Sequence, residues 1–361
     1  MTPAGDEHDV VVVGGRIGGS LTAAYLAARG LTVLVLESRS FPSATMSTHF
    51  FRGDGLVRGL ADVGVLDEVL ATGAPRFLNE LFYVDDATEP TVEPPQEPGE
   101  AGFGLSVRRE TLDAILARRV AALPGVTFRT DTKAVGLLHD SGRVSGVRDD
   151  AGAEHRATVV VGADGRRSGV AAGVSAGDVR RHAGCRVMYY RYVTGWVAPD
   201  GGRPEMPEFS LVGNALAYVF PSDHGTACVA VTVPADSGTS AGDYDSLIAA
   251  HPGLRGRAQR AEPIGRVVVG ASRDNVVVDA AGPGWALVGD AGTYQDPWSG
   301  RGMDTAARQA AALAATLTDD PAGWNADYAR ARDGVTLERF DTTVRLAPDL
   351  RLMLAGDGEG D

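Results

Sequence analysis

The feature that most constrains the fold is a glycine-rich turn between a short apolar strand and a helix, near the start of the chain. Residues 10–13 are four consecutive valines that stop at Gly14-Gly15-Arg16-Ile17-Gly18-Gly19, which predicts a strand buried on both faces of a parallel sheet. A helix is predicted over residues 21–29 with Gly30 as its C-cap, and a second buried strand over residues 31–36 ends at Glu37. This order predicts one βαβ unit of a doubly wound α/β sheet.

The same turn has the chemistry of a dinucleotide site. Glycines let the backbone approach a pyrophosphate at the helix N-terminus, and an acid at the end of the second strand accepts hydrogen bonds from a ribose hydroxyl. Glu37 lies 23 positions after Gly14, close to the usual spacing. The frame departs from G-x-G-x-x-G at Arg16. We expect its guanidinium to contact a phosphate, with Gly15 and Gly18 supplying the missing backbone freedom.

Length, composition and charge exclude several classes of protein. At roughly 150 residues per domain, 361 residues predict two domains. Thirty-four Lys and Arg against 47 Asp and Glu give a net charge of −13, which disfavours nucleic acid or an anionic membrane as a partner. No apolar run reaches the roughly 18 residues of a membrane span, and no signal-peptide pattern opens the chain. With only Cys185 and Cys228, a reduced, soluble, cytoplasmic protein is expected, without a metal site.

Four later segments place charged or glycine-rich turns beside predicted strands and helices. An amphipathic helix after residue 106 carries Arg109 in its first turn. A buried strand over residues 158–161 runs into Gly162-Ala163-Asp164-Gly165, and another from residue 285 ends in Gly289-Asp290. Residues 297–303, with the sequence PWSGRGM, then open an alanine-rich helix. Taken singly, Asp164 and Asp290 fit turn residues or helix caps, but both follow buried strands, where ligands bind in open α/β sheets.

Together, in this order and spacing, the segments resemble the flavoprotein monooxygenases of the para-hydroxybenzoate hydroxylase type. The wider superfamily includes geranylgeranyl reductases and flavin-dependent halogenases, and the resemblance covers about residues 8–345. It implies FAD, with the glycine turn and Glu37 on its ADP moiety and Arg109 near its pyrophosphate or ribityl chain. It also implies that the segment at Asp164 holds the flavin and takes part in NAD(P)H handling, and that Asp290 binds the ribityl chain.

The resemblance further implies that the turn of Pro297, Gly300 and Gly302 lies beside the isoalloxazine, where its backbone amides stabilise negative charge. The full set of cofactor-binding residues expected on this basis is Gly14, Gly15, Arg16, Ile17, Gly18, Gly19, Glu37, Ser38, Arg39, Arg52, Arg109, Asp164, Gly165, Gly289, Asp290, Pro297, Gly300, Arg301, Gly302 and Met303.

The expected fold is α/β, with a Rossmann-like FAD-binding domain of the GR2 type and an inserted antiparallel substrate sheet. The FAD-binding domain is expected to be discontinuous, over residues 1–80, 101–180 and 266–345. The substrate domain takes residues 81–100 and 181–265, and residues 346–361 are a C-terminal tail. Four alternating or β-branched segments predict its strands, over residues 185–197, 208–211, 215–220 and 226–233.

Aromatic residues concentrate in the substrate sheet and indicate an apolar pocket, although any one of them also fits simple sheet packing. The candidate pocket residues are Tyr190, Tyr192, Phe209, Tyr218, Phe220 and Trp298. Just after the first βαβ unit, His49 and Arg52 are the candidate catalytic residues. His49 is a candidate for proton transfer, with a structural hydrogen-bonding role as its alternative, and Arg52 is expected to contact the flavin.

The resemblance implies a single-component monooxygenase that hydroxylates or epoxidises a hydrophobic secondary metabolite, aromatic or polyketide-like. NAD(P)H reduces the flavin, O2 adds to form a C4a-hydroperoxide, and the cofactor carries the chemistry. The partners expected are therefore a small hydrophobic substrate and O2, with a homodimer as one possible assembly. No second strand-linked G-x-G-x-x-G occurs, which argues against a separate NADPH domain.

Other activities of the superfamily remain alternatives. A geranylgeranyl-reductase-like reductase or dehydrogenase acting on C=C or C–C bonds stays open, because Phe220-Pro221 matches the end of that family's Y-x-W-x-F-P segment, with Tyr218 in place of Trp. Halogenation is disfavoured because halogenases use a lysine in the substrate half, whereas the only lysine here is Lys133, and their W-x-W-x-I-P segment is missing. A non-enzymatic flavin-binding module is a further alternative.

Overall fold

The strand before the glycine turn and the strand after the following helix lie side by side in the middle of a parallel sheet. The computed structural model describes residues 7–47, 49–94, 100–318 and 323–355. Its strands are β1 (Glu7–Val13), β2 (Val33–Leu36), β3 (Phe50–Phe51), β4 (Glu80–Val84), β5 (Thr91–Glu93), β6 (Leu105–Ser106), β7 (Val126–Arg129), β8 (Ala134–Asp140), β9 (Arg143–Asp149), β10 (Glu154–Gly162), β11 (Asp178–His182), β12 (Arg186–Thr194), β13 (Glu208–Val212), β14 (Ala215–Pro221), β15 (Ala227–Pro234), β16 (Glu262–Gly270), β17 (Asn275–Val278), β18 (Ala281–Gly282), β19 (Trp285–Leu287) and β20 (Thr293–Tyr294). Its helices are α1 (Ile17–Ala28), α2 (Gly53–Asp62), α3 (Leu66–Ala71), α4 (Arg109–Ala121), α5 (Gly169–Gly173), α6 (Tyr244–Ala249), α7 (Pro252–Ala258), α8 (Gly302–Thr316) and α9 (Trp324–Leu346).

The larger sheet has eight strands around a parallel centre. Its main order is β18-β19-β10-β1-β2-β7, with β9 and β8 continuing antiparallel from β10. Strand β1 pairs in parallel with both β10 and β2, so the valines of residues 10–13 are buried. Helices α1, α2, α4 and α8 contribute apolar residues to the core on one face. The sheet confirms the predicted α/β class and places β1 at the centre.

Helix α1 begins four residues earlier than predicted, at Ile17 instead of residue 21. The reason is steric. Gly19 lies in the first turn of the helix, and a Cβ on it would come within 1.8 Å of the carbonyl oxygen of Gly14. Gly14 itself has a φ of +100°, which suits glycine. The glycines therefore bring the helix N-terminus down onto the end of β1, and the helix starts inside the motif.

The second large sheet has seven strands in the order β16-β12-β15-β14-β13-β4-β5. All neighbours are antiparallel except β4 and β13. One face packs against α6 and α7, and the other carries a cluster of aromatic side chains. Two smaller antiparallel sheets, β11-β17-β20 and β3-β6, lie elsewhere in the chain.

Two expected domain boundaries fall inside structural elements. Strand β16 spans the boundary predicted at residue 266. It pairs with β12 in the antiparallel sheet along its length up to Gly270, and the substrate sheet therefore extends past the boundary. Strand β11 spans the boundary at residue 181 and pairs with β17. Within the expected connection of residues 81–100, β4 and β5 join the seven-stranded sheet. Residues 95–99 of that connection lie outside the described residues.

The expected C-terminal tail is wrong for the described residues up to 355. Helix α9 ends at Leu346, and a 3₁₀ turn follows over Leu350–Ala355. Leu346, Ala347 and Leu350 are buried in the aromatic cluster, because Asn214 holds the backbone of the segment with hydrogen bonds to Pro348 O and Leu350 N. The segment is thus part of the fold. Among the helices that the structure describes, none has the length and apolar character needed to cross a bilayer.

Candidate cofactor and substrate site

A cavity of about 1060 Å³ lies at the carboxyl ends of β1, β2 and β10. Ligand pockets range over about 300–1,000 Å³, so this one suits a large ligand. Its position is the crevice at the strand ends where open α/β sheets bind ligands. It extends from Glu37 at one end to the start of α8 at the other. We call it the large cavity.

Glu37 connects the end of β2 to the glycine turn. Its carboxylate accepts hydrogen bonds from the backbone N–H groups of Gly15 at 2.8 Å and Arg39 at 3.0 Å. A carboxylate has about four lone-pair sites, so capacity remains for a hydroxyl in the large cavity. The arrangement fits the ribose-binding role expected for this acid.

Arg16, the departure from the glycine pattern, lies on the wall of the large cavity with Arg109. Asp113, buried on α4, joins them: Arg16 Nη1 donates to one carboxylate oxygen at 2.6 Å and Arg109 Nε to the other at 3.1 Å. One carboxylate thus fixes two guanidinium groups. Sequence reasoning did not predict a role for Asp113, although the spacing of Arg109 and Asp113 is an i, i+4 helix pair.

The two candidate aspartates differ in their partners. The Asp164 carboxylate accepts hydrogen bonds from Ser168 Oγ at 2.6 Å and from the backbone N–H of Gly169 at 2.7 Å. Its carboxylate therefore has the partners of the turn residue that the sequence offered as an alternative, although Asp164 still lines the large cavity. No described residue donates a hydrogen bond to the Asp290 carboxylate. Burial raises the pKa of Asp290, and the charges of Arg166 and Arg109 oppose that rise.

The turn before α8 forms the opposite end of the large cavity. Asp296 accepts a hydrogen bond from the backbone N–H of Trp298 at 3.1 Å, and a single 3₁₀ turn follows over Pro297–Ser299. Gly300 has a φ of +67° and lies against the Phe50 ring. Helix α8 then starts at Gly302, so its N-terminal N–H groups lie at the cavity wall and favour negative charge there. Burial raises the pKa of Asp296 to about 6.

The walls of the large cavity are cationic although the chain carries a net charge of −13. Three acids are among the lining residues, namely Glu37, Asp164 and Asp290. The lining cations are Arg16, Arg39, Arg109, Lys133, Arg166, Arg167 and Arg273. This charge, two helix N-termini and the unpaired carboxylate of Asp290 fit the expected FAD, which has an anionic pyrophosphate and a hydroxylated ribityl chain.

A second, small cavity of about 40 Å³ lies in the aromatic cluster. Phe50, Pro297 and Gly300 line both cavities, so the small one adjoins the α8 end of the large one. Its remaining lining residues are Arg52, Glu80, Phe82, Phe209, Leu216, Tyr218, Phe220, Trp298, Ser299 and Met353.

Arg52 lies at the small cavity and is absent from the wall of the large one, contrary to the expected flavin contact. The reason is Glu80 at the start of β4, whose carboxylate accepts from Arg52 Nε at 3.1 Å and from Nη2 at 3.3 Å. The guanidinium also lies over the rings of Phe50 and Phe209, at 4.8 and 5.5 Å from their centroids. Arg52 is thus directed toward the aromatic cluster.

His49 lies on neither cavity wall. Its Nδ1 accepts a hydrogen bond from the backbone N–H of Arg109 at 3.0 Å, and its Nε2 bonds the hydroxyl of Tyr192. Burial, helped by the nearby charge of Arg109, lowers the pKa of His49 to about 3. The geometry therefore favours the structural alternative over proton transfer. The neutral imidazole makes one hydrogen bond to Arg109 on α4 and one to Tyr192 on β12, and so it holds the two elements together.

Most predicted site residues come together. Those on the large cavity are Gly14, Arg16, Ile17, Gly18, Glu37, Ser38, Arg39, Arg109, Asp164, Gly165, Gly289, Asp290, Pro297, Gly300, Gly302 and Met303. Gly15, Gly19 and Arg301 are not among its lining residues. Of the predicted substrate residues, Phe209, Tyr218, Phe220 and Trp298 line the small cavity, Tyr190 lines the large one, and Tyr192 lines neither. No local sequence signal predicts the ion pair of Arg52 with Glu80. The same is true of the position of Met353 on the wall of the small cavity.

Comparison with known proteins gives a family match and several curated relatives. A family model described as "FAD binding domain" matches residues 7–201, more than half of the chain. The digeranylgeranylglycerophospholipid reductase of Thermoplasma volcanium is 28% identical over 311 residues, covering 83% of this chain and 75% of the relative. The kynurenine 3-monooxygenase of Salinispora tropica is 28% identical over 370 residues, covering 95% and 80%.

Solved structures share the fold. The myxobacterial chondrochloren halogenase CndH superimposes with a TM-score of 0.79 at 22% identity, covering 94% of this chain and 82% of that chain. PqsL from Pseudomonas aeruginosa, a probable FAD-dependent monooxygenase, gives a TM-score of 0.77 at 23% identity, covering 97% and 99%. At these identities the likeness establishes the architecture, a Rossmann-like FAD-binding domain combined with further sheets.

Proposed function

The chain belongs to the FAD binding domain family, and from that membership we propose that it is a monooxygenase that oxidises a hydrophobic aromatic substrate with NAD(P)H and O2. It is an FAD-dependent oxidoreductase of the superfamily that contains monooxygenases, reductases and halogenases. The proposal adds three features to this membership, namely the class of the substrate, the electron donor and the transfer of oxygen.

Bound FAD supplies the redox chemistry, taking electrons from NAD(P)H and activating O2, which amino-acid side chains cannot do. The protein binds and orients it. We assign the adenosine end to Glu37 and the glycine turn, the pyrophosphate to Arg16 and Arg109, and the ribityl hydroxyls to Asp290. The isoalloxazine end falls to the turn of residues 297–302, where the N-terminal N–H groups of α8 stabilise negative charge.

The observation that carries the proposal is the shared wall of the two cavities. Phe50, Pro297 and Gly300 line both, so the aromatic pocket adjoins the end of the large cavity that we assign to the isoalloxazine. Stacked rings enclose this pocket, with the Phe50 and Phe220 centroids 4.6 Å apart and their planes at 8°. An enclosed apolar site beside the flavin keeps water from the reacting atoms and positions a planar substrate.

NAD(P)H as electron donor has support from the charge of the large cavity. Arg166, Arg167 and Arg273 are exposed at its edge, near Asp164 and Tyr294, and their positive field attracts an anionic dinucleotide. We therefore propose that NAD(P)H approaches from this edge.

A reductase is the second candidate. It is favoured by the relative from Thermoplasma volcanium, which is called a digeranylgeranylglycerophospholipid reductase and is similar over 83% of this chain. In that case the aromatic pocket binds an isoprenoid or another substrate whose C=C bond is reduced. Halogenation has less support, because Lys133 is not among the residues that line the small cavity.

Rapid mixing distinguishes the two candidates. The FAD-loaded protein is reduced anaerobically, mixed with O2 and followed by absorbance. A monooxygenase gives a transient species before the oxidised flavin spectrum returns, and we expect this result. Direct return to oxidised flavin, with and without aromatic compounds present, would contradict the monooxygenase proposal and favour a reductase.

A further inference from the structure

Arg52 has hydrogen-bonding capacity that the protein leaves unused. A guanidinium has five N–H donors, and Glu80 takes one from Nε and one from Nη2. No described residue accepts a hydrogen bond from Nη1. The Arg52 side chain is only 15% exposed, and the residue lines the small cavity. Unsatisfied donors on a pocket wall point to an acceptor on the ligand.

The charge of Arg52 is already balanced. Glu80 is 5% exposed at its side chain and holds the guanidinium with two hydrogen bonds, so the pair is neutral as a unit. The other polar side-chain groups on the wall are the hydroxyls of Tyr218 and Ser299 and the indole N–H of Trp298. Tyr218 donates to Trp298 O at 2.8 Å, and Trp298 Nε1 donates to Thr343 O at 3.2 Å. An anionic ligand group beside Arg52 would also lie beside the Glu80 carboxylate. A neutral acceptor avoids that repulsion and the cost of burying a further charge.

We propose that the Arg52–Glu80 pair anchors the substrate and selects uncharged planar aromatic molecules that carry a carbonyl or hydroxyl group. Arg52 Nη1 donates to the oxygen of that group, and Glu80 keeps lone pairs for a neighbouring N–H or O–H. The ring stacks within the aromatic cluster. This inference rests on the proposed function, since it assumes that the small cavity receives the substrate, and it assigns Arg52 to substrate recognition instead of the flavin.

The small cavity must widen to accept a ring. Benzene fits a cavity of about 150 Å³, and this one has about 40 Å³. Six of its thirteen lining residues are aromatic, and they lie on β3, β4, β13, β14 and the turn before α8. Met353 is the flexible apolar residue of the wall, because its side chain is unbranched and it lies on the short 3₁₀ segment after α9. We infer that the substrate displaces Met353.

A matched pair of probes tests the anchor. 2-Naphthamide and 2-naphthoate have the same shape, but the first is neutral and the second is ionised near pH 7. Binding to the FAD-loaded protein is measured by calorimetry and by the change in flavin absorbance. We expect the wild type to bind the amide at least tenfold more tightly than the carboxylate. Equal affinities, or no binding of the amide, would overturn the proposal.

Variants of the pair sharpen the test. Glu80→Gln keeps an oxygen acceptor for Arg52 and leaves the guanidinium charge unbalanced, so the preference for the amide should shrink or reverse. Arg52→Lys should lower the affinity for the amide at least tenfold. It should not cause loss of flavin, because Arg52 does not line the large cavity. Asp245→Asn, which removes a surface carboxylate paired with Arg191, is the control and should leave the preference unchanged. An unchanged preference in Glu80→Gln would contradict the anchor.

The flavin content of each preparation separates the two levels of the account. If the wild type takes up no FAD, the proposed function itself fails. If it is fully loaded with FAD but does not discriminate between amide and carboxylate, only the role of Arg52 and Glu80 fails.

Discussion

At the scale of single residues, Asp164 and Asp290 show how similar motifs take different roles. Both follow buried strands of the same sheet and both line the large cavity. Asp164 gives its oxygens to its own turn, through Ser168 and the N–H of Gly169. Asp290 is partly buried, and its carboxylate accepts no hydrogen bond from a described residue. Desolvation of a carboxylate without hydrogen-bond donors is unfavourable, and a ligand that donates hydrogen bonds to Asp290 offsets this unfavourable free energy.

Asp290→Ala should therefore weaken FAD binding at least tenfold while the fold persists, because we assign the acid to the ribityl chain and it accepts no hydrogen bond from a described residue. The measurement is a titration of deflavinated protein with FAD. Asp67→Asn, an exposed aspartate on α3, serves as the control. Unchanged affinity in Asp290→Ala would contradict the assignment of the ribityl chain to this residue.

Asp296 makes a prediction about pH. Burial raises its pKa in the folded protein from 3.8 to about 6, so the folded state keeps a proton that the unfolded chain loses between about pH 4 and 6. Stability therefore falls as pH rises through this window. Asp296→Asn cannot ionise, and should be more stable than the wild type at pH 7, by up to about 3 kcal/mol at roughly 1.4 kcal/mol per pKa unit. Denaturant unfolding at pH 4, 5, 6 and 7 measures this.

The two proteins should differ little at pH 4, and the difference should grow up to about pH 6. A difference that is constant from pH 4 to 7 would show that Asp296 does not titrate in this range.

Residue roles were predictable from the sequence where they follow from local geometry. Gly14 and Glu37 belong to one βαβ unit, so their spacing predicts their proximity. The orientation of Arg52 was not predictable, because its partner Glu80 lies on another strand and nothing local links the two. The same holds for Arg16 and Asp113, which are 97 positions apart.

At the scale of elements, the C-terminal turn differs most from its prediction. Residues 346–361 follow the last predicted helix, and the sequence predicts a C-terminal tail for them. The structure buries Leu346 and Leu350 against the aromatic cluster, and a buried arginine on β12, Arg186, donates to Ala347 O at 3.0 Å. Such tertiary contacts leave no local pattern. Strands with alternating or β-branched residues, such as β14 and β15, were predicted to within about one residue.

The turn offers a test of how the small cavity opens. Met353→Ala removes the flexible wall and should increase the affinity for 2-naphthamide about threefold or more, because the ligand no longer displaces a side chain. Leu352→Ala is the control, since Leu352 is 48% exposed and does not line the cavity. Both affinities are measured on FAD-loaded protein. Equal effects of the two substitutions, or weaker binding in Met353→Ala, would mean that Met353 does not close the pocket.

At the scale of the whole molecule, the cavities lie where elements from distant parts of the chain meet. The parallel strands come from residues 7–36, 126–162 and 285–287, and the seven-stranded sheet comes from the intervening residues. The motifs predicted this discontinuity, but the edges of the sheets run past the expected boundaries at residues 181 and 266. Strand pairing decides these edges, and single-sequence patterns do not report it.

The charge of the molecule is also unevenly distributed. A chain with a net charge of −13 places seven cations on the wall of one cavity and only three acids. Net charge disfavours nucleic acid and anionic membranes as partners, but it does not reveal a local positive field. That field suits an anionic dinucleotide, and it directs the ligand to the crevice where the parallel strands end.

The measurement that tests the account most directly is a crystal structure of the FAD-loaded protein. We predict FAD along the large cavity, with adenosine at Glu37, the ribityl chain on Asp290 and the isoalloxazine at residues 297–302, next to the small cavity. Flavin bound elsewhere, or with its adenosine at the α8 end, would contradict the assignment of the cofactor and of the adjoining aromatic pocket.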